Sequence, residues 1–368
     1  MTHEEYRKAA ENVVYLAACA VNGETPDAER VAGMDLEALY LAAERHLLTG
    51  IAAMALERAG VRDEAFTQAK GKAIRKVVTL DVERTAVLAA LEEAGIWHMP
   101  LKGSILKDLY PQLGMRQMSD NDILYDASRA SDVRSIMEEL GFEADRYPGH
   151  SVHDHYVKPP VCNFEMHRAL FGELHDERLY AYYRDVKGRL IRDENSSYGF
   201  HFSDEDFYVY MIAHEYKHFS GSGTGLRSLL DTYVYWKEKG NALDWPYVSE
   251  ELEKLGLTEF EAQNRSLALH LFRGEELTTE EAEMLEYVLS SGTYGTADNR
   301  ARKLIQKKGR LGYVFTRAFP HLRVMRVLYP VLRPLPFLLP ICWALRWVRA
   351  LFEKPKKVMI QLKAVFKR

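Results

Sequence analysis

The sequence predicts an α+β protein in which a small mixed sheet is flanked by N- and C-terminal helical regions, and three observations carry that prediction. Apolar residues recur at helical spacing from residue 3 to about 95. From Ile96 to His167 the pattern changes to short apolar runs separated by Gly, Pro, Asp and Asn. After Phe202 the helical period returns. These shifts divide the chain into an N-terminal helical region (1–91), an α+β core (92–200), a C-terminal helical domain (201–310) and a basic, apolar tail (311–368).

The N-terminal region is helical because Val13, Val14, Leu16 and Ala17, then Leu36, Leu39, Leu41 and Ala42, then Leu47, Leu48 and Ile51 each fill one helix face. Asn22-Gly23 and Gly33 interrupt it, and a longer run from Ala65 to Ala94 stops at Gly95. His46 reads as a half-buried helix residue. In the core, Ile96–Leu101 and Asn121–Tyr125 predict strands, and Gly103 opens a short helix through Leu109. Ala130–Leu140 is amphipathic and closes on Gly141. His153–Lys158 and Cys162–His167 flank Pro159-Pro160 and read as a hairpin, because proline cannot donate to a central ladder. Strand-helix-strand-helix followed by a hairpin is the order of an α+β unit. Beyond it, Ser203-Asp-Glu-Asp206 starts a helix, a glycine-rich break follows at Gly221, Gly223 and Gly225, and helices are predicted at 225–239, 246–255, 257–272 and 279–290, with a loop from Gly292 to Asp298.

Composition narrows the function classes. At 368 residues, 47% hydrophobic and 28% charged, the chain is neither disordered nor fibrous. Its opening, Thr2, His3, Glu4, Glu5, predicts no secretory signal, and three isolated cysteines (Cys19, Cys162, Cys342) predict a reducing, cytoplasmic setting. The net charge of −4 hides an asymmetry: residues 301–368 hold 17 Lys/Arg against the single acidic Glu353, leaving 32 basic and 52 acidic residues elsewhere. The acidic body carries no strong nucleic-acid signal, since phosphate neutralisation needs basic surface. The tail implies either contact with an anionic surface, such as the inner face of a membrane through residues 313–368, or packing on the acidic body. Its longest uncharged run, Pro334–Leu345, is 12 residues, against the roughly 20 that cross a bilayer.

The chemistry concentrates between Leu101 and Asp126. Asp120 and Asp122 stand two apart at the entrance of a strand, so their side chains share a face and aim at one point. On the later strand Asn163, Glu165 and His167 share a face, which makes Glu165 the natural third carboxylate. Three such carboxylates can hold two Mg²⁺ (or Mn²⁺) ions roughly 3.5–4 Å apart across an in-line displacement. The small turn Gly103-Ser104 offers backbone N–H groups to phosphate. Asp-Asn-Asp is also ordinary turn chemistry, so the pair alone does not decide.

With those residues in view, the segment resembles the nucleotidyltransferase superfamily of DNA polymerase β and the minimal nucleotidyltransferases. More narrowly, Leu101-Lys102-Gly103, Tyr110-Pro111, Arg116 and Asp120-Asn121-Asp122-Ile123-Leu124 are similar to the bacterial uncharacterised nucleotidyltransferase family. So are Glu165-Met-His167, the helices bearing His214, His218, Arg227 and Asp231, and the helix bearing Ala43 and His46. The resemblance implies a polymerase β-like core that binds metal through Asp120, Asp122 and Glu165 and an NTP through Lys102, Gly103, Ser104 and Arg116. It also implies that His214 and His218 line the cleft against nucleotide or acceptor. Transfer of an NMP to a hydroxyl-type acceptor is the activity implied. Fifteen residues separate Ser104 from Asp120, and Asn121 stands where the pattern implies an apolar residue.

Two competing readings come from other classes. His214-Glu215-Tyr216-Lys217-His218 matches the zinc-peptidase pattern, two histidines at i and i+4 with a glutamate base. A nucleotide-binding, membrane-docked module without turnover fits the basic tail. His150, His153 and His155 read as loop or strand-surface histidines, Arg227 and Asp231 as a helix-surface ion pair, and Cys162 as packing.

Overall fold

The computed structural model describes residues 1–144, 152–174, 176–293 and 295–353; His150 and the last fifteen residues of the tail lie outside them. The N-terminal region forms helices α1 (His3–Asn22), α2 (Ala28–Ala32), α3 (Leu36–Arg45), α4 (Thr49–Arg58) and the long α5 (Glu64–Glu93). The core follows as β1 (His98–Leu101), α6 (Gly103–Leu106), β2 (Asn121–Tyr125), α7 (Ala130–Glu139), β3 (Glu143–Ala144), β4 (His153–Lys158), β5 (Cys162–His167) and α8 (Glu177–Tyr183). A two-stranded ladder, β6 (Ile191–Arg192) with β7 (Phe200–His201), closes it. Helices α9 (Asp204–Gly221), α10 (Leu226–Lys239), α11 (Trp245–Leu255), α12 (Thr258–Arg273) and α13 (Thr279–Ser291) come next, then α14 (Ala297–Ala318), α15 (Leu322–Leu328) and α16 (Leu339–Glu353).

The five-stranded sheet has the order β1-β2-β5-β4-β3. β2 and β5 run parallel at its centre, while β1–β2, β5–β4 and β4–β3 pair antiparallel, so the sheet is mixed. Strand alternation gives it two chemically opposite faces. Ile123, Tyr125, Phe164 and Met166 point to one side, where Val77, Leu80, Val87 and Leu91 of α5 and Val133 and Met137 of α7 complete an apolar core. Burying a side chain of this size contributes about 1.5–3 kcal/mol, which fixes the register of both central strands. Asp122, Glu165 and His167 are left on the other side.

Contacts divide the chain into two compact units, residues 1–217 with 224–293, and residues 218–223 with 295–353 among those described. In the first, His46 is buried rather than half-buried: Nδ1 accepts the Leu226 N–H at 3.1 Å, and Nε2 therefore donates to Tyr6 Oη at 2.8 Å. Tyr6 passes its own proton to the Leu289 carbonyl, tying α1 to the helices near residue 290. In the second, α14 bends at Gly309 (φ 70°), and Met325, Leu332 and Cys342 form a small core beside Trp343. The Trp343 and Trp347 indoles donate to the carbonyls of Pro320 and Ala318, which fastens α16 to the segment before α15. Among the described residues no helix is long and apolar enough to cross a membrane.

Candidate active site

Parallel pairing of β2 with β5 sets Asp122 directly beside Glu165, and Asp120 sits one step before the strand on the same face. Asn121, between the aspartates, belongs to the opposite face. It is fully buried, its Nδ2 donates to the Leu80 carbonyl at 2.8 Å, and its Oδ1 accepts from Arg84 at 3.2 Å. The residue out of keeping with the pattern is thus a clamp between β2 and α5, and it does not enter the acidic face.

Charge on that face is distributed unevenly. The Lys102 ammonium donates to Asp122 Oδ1 at 2.6 Å, and His167 Nε2 lies 2.7 Å from the same oxygen. Burial alone would raise the Asp122 pKa, but Lys102 and the His167 hydrogen bond hold it far below the carboxylate range. Burial would likewise lower Lys102, yet Asp122, Tyr210 and Glu165 hold it above the usual lysine value. Asp120 is the poorly compensated member: burial, Asp122 and Glu165 push its pKa up to about 6. A carboxylate so placed, facing two others, is what a divalent cation relieves. The three residues offer hard oxygen donors, the ligand type that suits Mg²⁺ or Mn²⁺.

Other expected site residues are turned elsewhere. The Ser104 hydroxyl donates to the Leu101 carbonyl at 2.8 Å. At Gly103 a Cβ would sit 2.5 Å from the Arg116 guanidinium and 2.9 Å from Met118 Sδ, so glycine is required there by close packing. Lys102, just before it, takes φ 51°, ψ −116°, a conformation L-residues rarely adopt. Arg116 closes on Asp231 with two hydrogen bonds, Nε–Oδ1 at 2.7 Å and Nη2–Oδ2 at 2.8 Å, and Tyr110 donates to Oδ1 at 2.8 Å. Asp231, expected in a helix-surface pair, is instead the buried anchor of the segment between α6 and β2. Arg227 donates to the Gln117 carbonyl, and its charge lowers Asp120.

Across from the sheet, α9 carries Tyr210, His214 and Lys217 at i, i+4 and i+7, one helix face. Tyr210 and His214 rings lie 6.0 Å apart. Burial, then the like charge of Lys102, push Lys217 down to about 8, and the smaller, opposing influence of Glu165 and Asp122 puts this cation near the acidic face. Sequence reading passed over Lys217 because it sits inside the zinc-like motif. His218 falls in the second unit.

Glu215, the would-be peptidase base, points into the helical core. Its Oε2 accepts from Asn264 at 3.0 Å and Thr232 at 3.2 Å, while Oε1 and Asn264 Oδ1 have no hydrogen-bond partner among the described residues. Among the described residues the group close enough to hold a metal ion is His153, Glu165 and His167; His214 and His218 are not in it, nor are Asp120 and Asp122. The zinc-peptidase reading is corrected on these grounds. Burial pushes Glu215 up to about 7 from an ordinary 4.5, because the charged form is the one that loses hydration. The folded state keeps the carboxyl proton to about pH 7, while the unfolded chain releases it near 4.5. Stability therefore falls as pH rises across this window, and the loss of about 3 kcal/mol is complete above it. Glu215→Gln is expected to flatten the dependence and to exceed the parent by about 2–3 kcal/mol at pH 8. Urea denaturation at pH 5 and pH 8 checks this; parallel pH dependence in both proteins would refute it.

Neither a curated protein nor a solved structure matches the chain. The family model described as uncharacterised nucleotidyltransferase matches residues 32–273, about two thirds of the length, and spans the sheet, both aspartates, Glu165 and α9. The chain therefore belongs to the uncharacterised nucleotidyltransferase family.

Proposed function

We propose that the protein is a Mg²⁺-dependent enzyme that moves an NMP from an NTP, such as ATP, to a hydroxyl-type acceptor. The observation carrying this reading is the registration of Asp122 beside Glu165 with Asp120 on the same face, backed by family membership. Asp120, Asp122 and Glu165 would hold the metal ions, which when bound neutralise charge on the attacking and leaving oxygens. Lys102, Lys217 and Arg227 supply the cations around these carboxylates and would meet the triphosphate. Tyr210 and His214, on the α9 face, would border nucleotide or acceptor. Gly103 and Ser104 would contribute main-chain N–H groups, their side-chain positions being taken up by packing. Residues 92–200 would be the catalytic core, with helical regions at 1–91 and 201–310 and a separate basic segment at 311–368. Incubation with α-labelled NTP and Mg²⁺ is expected to give pyrophosphate and labelled acceptor; wild-type protein releasing no pyrophosphate with any of the four NTPs and a hydroxyl-acceptor panel would defeat the proposal.

A second reading concerns location. The segment 313–368 would dock on the anionic inner face of a membrane. In the second unit Phe315, Phe337, Ile341, Leu345 and Val348 are exposed, Phe337 to 72%, amid the excess of Lys and Arg. Apolar insertion with basic residues, each worth about 1 kcal/mol near such a surface, is the chemistry of peripheral binding. Full-length protein is expected to float with phosphatidylglycerol vesicles and to be released by high salt, whereas protein ending at residue 312 is not expected to float; equal flotation of the two would reject it.

A further inference from the structure

We propose that His153, Glu165 and His167 form a transition-metal site that takes Zn²⁺ in preference to Mg²⁺. The antiparallel pairing of β4 with β5 sets His153 opposite His167, with ring centroids 4.9 Å apart. Glu165, two residues before His167, shares the face. His153 Nε2 lies 3.5 Å from Glu165 Oε1 and His167 Nε2 lies 3.5 Å from Oε2, so the two imidazoles flank one carboxylate. One ligand atom from each residue falls within 4.8 Å of the others.

Two imidazoles and a carboxylate are the donor set that suits zinc, with a fourth position left open, whereas Mg²⁺ favours an all-oxygen shell. The histidine that would be hardest to orient is already oriented. His167 is buried and anchored through Nε2 to Asp122, and its Nδ1 is buried with no hydrogen-bond partner among the described residues. Nε2, the nitrogen that faces Glu165, would exchange its hydrogen bond to Asp122 for the metal. Access is provided by His153 and Glu165, whose side chains are 29% and 24% exposed.

The site stands on its own ligands. Only its rivalry with the hard-metal set, through shared Glu165, rests on the nucleotidyltransferase reading. Zn²⁺ would then inhibit rather than support a Mg²⁺ enzyme, by drawing Glu165 toward the histidines.

Full-length protein titrated with Zn²⁺ alone is expected to bind one equivalent by calorimetry and by metal content after gel filtration. Co²⁺ is expected to give the visible ligand-field bands of a nitrogen-containing site. His153→Ala, at a partly exposed position, is expected to weaken Zn²⁺ at least tenfold and to leave Mg²⁺ affinity unchanged. His153→Gln, of similar size, separates ligation from packing and is expected to behave as the alanine variant does. No stoichiometric zinc, unchanged zinc affinity in both variants, or zinc lost with His214→Ala instead would each overturn the site. Zinc bound normally by a protein that transfers no label would defeat the nucleotidyltransferase reading and leave this one intact.

Discussion

Asp122→Asn is expected to lower NMP transfer by about 10³-fold or more. The substitution keeps the shape of the side chain and removes the one carboxylate that touches both Lys102 and His167. A lost metal contact of several kcal/mol corresponds to such a factor, at 1.36 kcal/mol per tenfold. Because the variant also leaves the Lys102 ammonium without its nearest anion, it should lose stability, by up to about 3 kcal/mol. The two effects separate in a double-substitution cycle. Adding Lys102→Met removes the stranded charge, so unfolding measured in urea should recover while turnover stays down. A folded Asp122→Asn protein that turns over within tenfold of the parent would end the catalytic assignment.

The second large effect concerns the buried Arg116–Asp231 pair. Asp231→Asn is expected to cost about 3–5 kcal/mol, because it leaves the Arg116 guanidinium buried without its counter-ion and leaves Tyr110 facing an amide. Arg116→Met combined with Asp231→Leu removes both charges and should cost less than either single change. The double variant is still expected to bind nucleotide poorly, since the same pair holds the segment that carries Gly103 and Met118 against β2. Urea unfolding and NTP titration read the two consequences separately; a single-variant loss below about 1 kcal/mol would show that solvent already weakens the pair.

Much of this architecture is legible in the sequence, for reasons that differ by residue. The helix expected at 279–290 is found at Thr279–Ser291, and that expected at 225–239 at Leu226–Lys239, because each has an apolar period and a capping signal. The hairpin of β4 and β5 was marked by Pro159-Pro160 between two alternating runs. The β6–β7 ladder escaped notice, since two-residue strands such as Ile191–Arg192 are too short for alternation to register. Of the site, the side-by-side placement of Asp122 and Glu165 depends on register, yet the shared face of Asn163, Glu165 and His167 could be read directly. The partner of Arg116 could not: Asp231 lies 115 positions away, and no local pattern spans that gap. Why Asn121 stands where the pattern implies an apolar residue could not be read, because its partners Leu80 and Arg84 lie about forty positions upstream. Lys217 was hidden by a five-residue motif whose glutamate turns out to serve the core.

Lys102 has a consequence for the resting state of the acidic face. Held in a left-handed conformation that costs of order 1–3 kcal/mol, it carries its ammonium to Asp122 and occupies the position of a counter-ion. The acidic face is thus never electrostatically bare. A cation reaching Asp122 would do so by exchange with a tethered one, while Asp120 has no such partner of its own to give up. If the acidic face holds metal as proposed, the Lys102 ammonium would stand in for it while the site is empty.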